Sequence, residues 1–126
     1  LDGAVTQRLF ALYWLPVLLC VVLIFIISGM SSPPVPAGFS GDFLHYPEFA
    51  VLALLLARAL QGASPGLARP KHLLWAFVLS LLIGATDEFH QAFVPDRVPD
   101  ARDWLHDGIG SAAGVFLWGI WRWIRR

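Results

Sequence analysis

From Leu9 to Ser28 the chain runs for about twenty residues without a charged side chain. A helix of that length covers ~30 Å, the thickness of bilayer hydrocarbon. A helix that is apolar on every side has no stable place at the surface of a small soluble domain. The run therefore predicts a membrane span, with Pro16 tolerated inside it. A secretory leader is the rival reading, because small residues follow at Ser28 and Gly29. The apolar part of such leaders is shorter, roughly 7–15 residues, so the span is preferred. Composition agrees: 57% of the residues are hydrophobic and 14% charged, against about 25% charged in soluble domains. Mean hydropathy is +0.65. The net charge of zero offers no polybasic surface for nucleic acid. The one cysteine, Cys20, excludes an intramolecular disulfide and a cysteine-cluster metal site.

The chain reads as a single all-α domain over residues 1–126, a four-transmembrane-helix bundle. Its spans fall at about 9–28, 43–60, 73–92 and 101–124. Proline, glycine and serine make Gly29 to Gly41 a loop, and Gln61 to His72 is a second loop. The second span opens with a polar turn of Asp42, His45 and Glu48, with Pro47 expected in the first helical turn. Asp42 is as good a helix cap as a site residue. Phe93 to Arg102 is a short connection with a near-duplicated VPDR and VPDAR. Asp100 suits the cap of the fourth helix, with Asp103 three residues on in a capping-box position. Gly110, Ala113 and Gly114 form a small-residue face for close helix contact. Trp118, Trp121 and Trp123 suit an interfacial belt.

Four spans place both termini and the second loop on one side. Arg8, Arg58, Arg69, Lys71, Arg122, Arg125 and Arg126 gather there, against Arg97 and Arg102 on the other. That bias predicts cytoplasmic termini. Eight of the nine acids, all but Asp2, then lie toward the outer face, with His45, His90 and His106. The polar turns of spans two, three and four share a depth, which capping alone does not require. Ionisable groups set against hydrocarbon are a functional-site expectation.

The spacings Asp87/His90/Gln91 and Asp103/His106/Asp107 each put three polar side chains on one helix face. Facing stripes of this kind build sites in bundle cores. His45, Glu48, Glu88, His90 and Asp103 are the expected acid/base residues, because an imidazole beside a carboxylate can move a proton. Asp42, Gln91 and Arg97 are expected to bind substrate, with Arg97 as a clamp for a phosphate or carboxylate. Asp87, Asp103 and Asp107 are the expected holders of a divalent cation, should the chemistry use one. No HExxH motif or nucleophile-elbow serine is present, and Ser111 reads as helix packing.

The pattern Asp42-x-x-His45, then Asp87-Glu88-x-x-Gln91-x-Phe93-x-Pro95-x-Arg97, then Asp103-x-x-x-Asp107-x-x-Gly110-x-x-x-Gly114, resembles the VanZ-like family of small membrane proteins. The resemblance covers most of the chain after Gly41. It implies four spans and a relation to low-level resistance to the glycopeptide teicoplanin. Phe43 stands where the family usually has lysine, so no lysine role carries over. Asp96 replaces the glycine of a Pro-Gly-Arg turn, Asp100 a serine or threonine, and Asp107 a common asparagine.

The expectation is an integral protein of a bacterial-type cytoplasmic membrane with its polar site facing outward. Its partners are the lipid bilayer and a lipid or cell-envelope precursor. It acts as an enzyme on that substrate by acid/base or cation-assisted chemistry. The alternative is a non-catalytic envelope-modulating protein that binds a lipid precursor or the antibiotic. A small ion transporter is disfavoured, because the polar residues are confined to one leaflet.

Overall fold

The computed structural model describes residues 2–126. Four helices follow in order: α1 (Gly3–Ser28), α2 (Gly41–Ala63), α3 (Arg69–Gln91) and α4 (Ala101–Ile124). The described residues contain no strand. α4 begins and ends where the sequence places it. The other three are longer at one or both ends, for local reasons. Asp2 caps α1, its Oδ1 accepting from the Ala4 N–H at 3.3 Å. The α2–α3 connection shrinks to five residues, Ser64 to Ala68. Pro70 sits in the first positions of α3, where its missing N–H is no loss.

Two expectations at the start of α2 are corrected. Ser40 is the cap, its Oγ accepting from the Phe43 N–H at 3.3 Å, so Asp42 is not. Pro47 therefore lies nearly two turns inside the helix instead of in its first turn. With no N–H to donate, it leaves the Phe43 carbonyl without its intrahelical partner.

Three helices, α1, α2 and α3, are long and apolar enough to cross a membrane. α1 is the most apolar and the least packed; Leu12, Leu18, Leu19, Leu23 and Ile26 are all exposed along it. α2 is the centre, contributing Phe49, Leu52, Ala53, Leu56, Ala57 and Ala59 to the buried core. Its most extensive neighbour is α4, then α3, then α1; α1 and α4 do not meet.

The α2–α4 seam is close because two glycines make it so. A Cβ on Gly110 would run into the backbone of Tyr46, and one on Gly114 into the backbone of Ala50. Of the small-residue face expected of the fourth helix, Gly110 and Gly114 lie in this seam, while Ala113 is exposed. The seam brings α4 against α2 at the level of His45. A buried Ser80–Ser111 hydrogen bond of 2.6 Å ties α4 to α3 in the bundle interior.

Candidate functional site

At the end of the bundle where α1 finishes and α2 begins lies a cavity of about 180 Å³. All four helices and the α3–α4 connection line it. Of the expected site residues, Asp42, His45, Glu48, Asp87, Gln91, Arg97 and Asp103 face it, and Asp96 joins them. Ile24, Ile27, Val35 and Leu44 add apolar surface to the same lining. Polar and apolar surfaces thus meet across one small space.

His45 is fixed from behind. Its Nδ1 lies 2.7 Å from Asp107 Oδ1, and Asp107 is fully buried. With that carboxylate as acceptor, Nδ1 carries the hydrogen. Nε2 then faces Asp103 Oδ2 at 3.7 Å. A buried carboxylate that orients an imidazole is the usual way to ready its other nitrogen for proton transfer. Asp103 also lies 3.9 Å from His106 Nδ1, one turn along α4. The His106 ring packs on Tyr46 at 4.9 Å, outside the cavity lining.

A second chain of contacts crosses from α1 to the α3–α4 connection. Ser28 Oγ donates a very short hydrogen bond to Asp87 Oδ1. Asp87 Oδ2 accepts from Gln91 Nε2 at 3.1 Å, and Gln91 Oε1 accepts from Arg97 Nη2 at 3.0 Å. Arg97 is therefore held by a neutral amide, not by Asp103 or Asp100. Its remaining N–H donors are not committed to a carboxylate, which suits a guanidinium that is to meet an anion.

Glu88 and His90 lie apart from the cavity. Glu88 is one residue past Asp87, so the helix turns it by about 100° toward α4. Its Oε2 accepts from the Asp100 N–H at 3.1 Å. That bond fills the place at the α4 start which the sequence assigns to Asp103 in a capping box; Asp100 still caps the Arg102 N–H at 2.9 Å. His90 packs against Phe25 of α1 at 5.4 Å, and its Nδ1 is 3.5 Å from Ser28 Oγ.

The expected cation set of Asp87, Asp103 and Asp107 is not gathered. Both oxygens of Asp87 are taken by Ser28 and Gln91. Among the described residues, the group whose ligand atoms all lie within 4.8 Å of one another is His45, Glu88 and Asp107.

Ser28 is the site residue that sequence reasoning misses. Nothing in its neighbours marks it, since it ends an apolar run. Its one signal is depth: it is the polar end of α1 at the level where the other three helices turn polar. Asp96 is a second addition. Its φ of 62° lies in the left-handed region, which is the conformation that a glycine in this turn would supply freely.

A family model described as VanZ/LLP1 matches residues 13–122. No curated protein and no solved structure matches the chain.

Proposed function

The chain belongs to the VanZ/LLP1 family, and from that membership we propose a membrane-embedded enzyme that acts at the outer leaflet on a lipid-linked or cell-envelope substrate. A phospholipid head group is the simplest such substrate. The reading takes α4 as a fourth span. Its mean apolarity is lowered by Asp103, Asp107 and Ser111, but those side chains face the other helices. Leu105, Ile109, Phe116, Leu117 and Ile120 point outward, as a lipid-facing surface requires. Four spans with the basic ends inward put the cavity at the outer face.

The observation that carries the reading is the cavity's mixed polar and apolar lining. A lipid has a polar head and an apolar chain, and the two must be held side by side. Arg97 binds the phosphate, and the carboxylates of Asp42 and Glu48 accept from hydroxyl or ammonium groups of the head. His45 Nε2, with Asp107 behind it and Asp103 beside it, transfers the proton. The family's link to teicoplanin resistance fits a product that alters the envelope.

Lipidomics on membranes from cells with and without the protein tests the reading. The expected result is a head-group-modified lipid or precursor that appears with the wild type and disappears with Asp103→Ala at equal abundance. Unchanged lipids alongside saturable binding of a lipid precursor would instead favour the non-catalytic binding protein. The same cavity supports that second reading, since Arg97 and the apolar lining suffice for it.

A further inference from the structure

We infer that His45, Glu88 and Asp107 bind one divalent metal ion of the Mn²⁺ or Zn²⁺ class. One imidazole and two carboxylates come from three different helices, α2, α3 and α4, with ligand atoms within 4.8 Å of one another. Clusters of acids often mean nothing of the kind, but two further observations single this one out.

The first is unmet bonding. Asp107 is fully buried and Glu88 is 9% exposed. Each keeps one carboxylate oxygen with no hydrogen-bond partner, Oδ2 of Asp107 and Oε1 of Glu88. Buried acceptors are almost always satisfied, and a buried carboxylate calls for a cation or a donor. The donors present, His45 Nδ1 and the Asp100 N–H, serve the other oxygen of each carboxylate, and every ion pair among the described residues involves a histidine, so no arginine or lysine reaches these two. The second is approach. A Cβ on Gly84 of α3 would sit 2.8 Å from Asp107 Oδ2, so the glycine lets that oxygen lie against α3 one turn before Glu88.

The donor set decides the class of ion. Two anionic oxygens balance a divalent charge, and one imidazole favours a transition metal over Mg²⁺ or Ca²⁺. With three protein ligands the ion keeps an open position, which is the arrangement of catalytic sites. The site rests on the enzyme reading for its purpose: the ion would take His45 Nδ1 in place of the hydrogen shared with Asp107, and leave Nε2 facing Asp103 at the cavity. Its existence does not depend on that reading.

The test uses the purified full chain in lipid nanodiscs, stripped with chelator. MnCl₂ is titrated while the free-ion signal is followed by electron paramagnetic resonance. ZnCl₂ uptake is measured by elemental analysis after desalting. The wild type is expected to retain about one equivalent, as a single three-ligand set predicts. Glu88→Gln and Asp107→Asn should each weaken binding by about tenfold or more. Asp87→Asn, outside the set, should leave it unchanged. Failure of the folded wild type to take up either ion overturns the site, whatever the variants do. Uptake that survives Glu88→Gln and Asp107→Asn but is lost in Asp87→Asn also overturns it, in favour of another ligand set. No substrate is present, so loss of this site and loss of the enzymatic reading are separate results.

Discussion

The two ends of the bundle use polar side chains differently. At the basic end, polar groups tie helices together. Arg58 Nη1 donates to the Leu12 carbonyl at 3.1 Å and its guanidinium lies over the Tyr13 ring at 5.1 Å. Trp118 Nε1 donates to Gln61 Oε1 at 3.0 Å, and His72 Nε2 pairs with the Ser64 carbonyl at 2.9 Å. The unpartnered atoms there, on His72 and Arg122, are nitrogens of rings or guanidinium groups. At the acidic end the helices are also tied, through Ser28–Asp87 and His45–Asp107. Yet, besides a ring nitrogen of His106, carboxylate oxygens remain over, on Asp107 and Glu88. Holding four helices together does not require that surplus. The difference separates polar groups that serve the fold from polar groups that the fold has to support.

Mutations at the two ends and between them can break this contrast. The largest effect falls between them. Gly114→Val pushes a side chain into the Ala50 backbone and should destabilise the bundle by about 3 kcal/mol, the upper range for overpacking, read by thermal unfolding in detergent. His45→Ala should lower turnover of the proposed lipid substrate by about 100-fold, the low end for loss of an acid/base group, while leaving helix content intact. Arg58→Ala at the other end should leave turnover unchanged and lower stability by about 1 kcal/mol, the usual size of one hydrogen bond. If Arg58→Ala abolished turnover instead, the division of labour would be wrong. Asp96→Gly should have the smallest effect. It relieves the left-handed backbone and should raise stability by about 0.5 kcal/mol in denaturant unfolding, because the αL cost of an L-residue is partly offset by the entropy of glycine.

The helices and the location of the site are legible in the sequence because both follow from where charge is absent. Residues 9–28 lack charge and form one apolar helix, and the polar turns of α2, α3 and α4 stand at one end of the bundle. Which neighbour faces the cavity is less legible. Asp87 and Glu88 are adjacent, and only the rotational setting of α3 decides that Asp87 faces the cavity while Glu88 reaches the start of α4. That setting comes from packing on α2 and α4, which a single sequence does not print. Asp107 reads as one more acid on a stripe, but the close glycine seam puts it behind His45 and out of the cavity lining. Ser28 escapes notice because one serine at the end of an apolar run is ordinary until Asp87 is found against it.

The glycine seam has a further consequence for how this fold can be recognised in other sequences. Gly110 and Gly114 meet main-chain atoms of Tyr46 and Ala50, not their side chains. The Ala50 side chain can then change without any compensating change at Gly114, while 110 and 114 cannot take a Cβ without moving main chain. Tyr46 differs, because its ring also packs on His106 of α4. The Ala50–Gly114 contact would leave no trace of paired substitution. A search for co-varying positions would find looser contacts first and miss the one that sets His45 against Asp107.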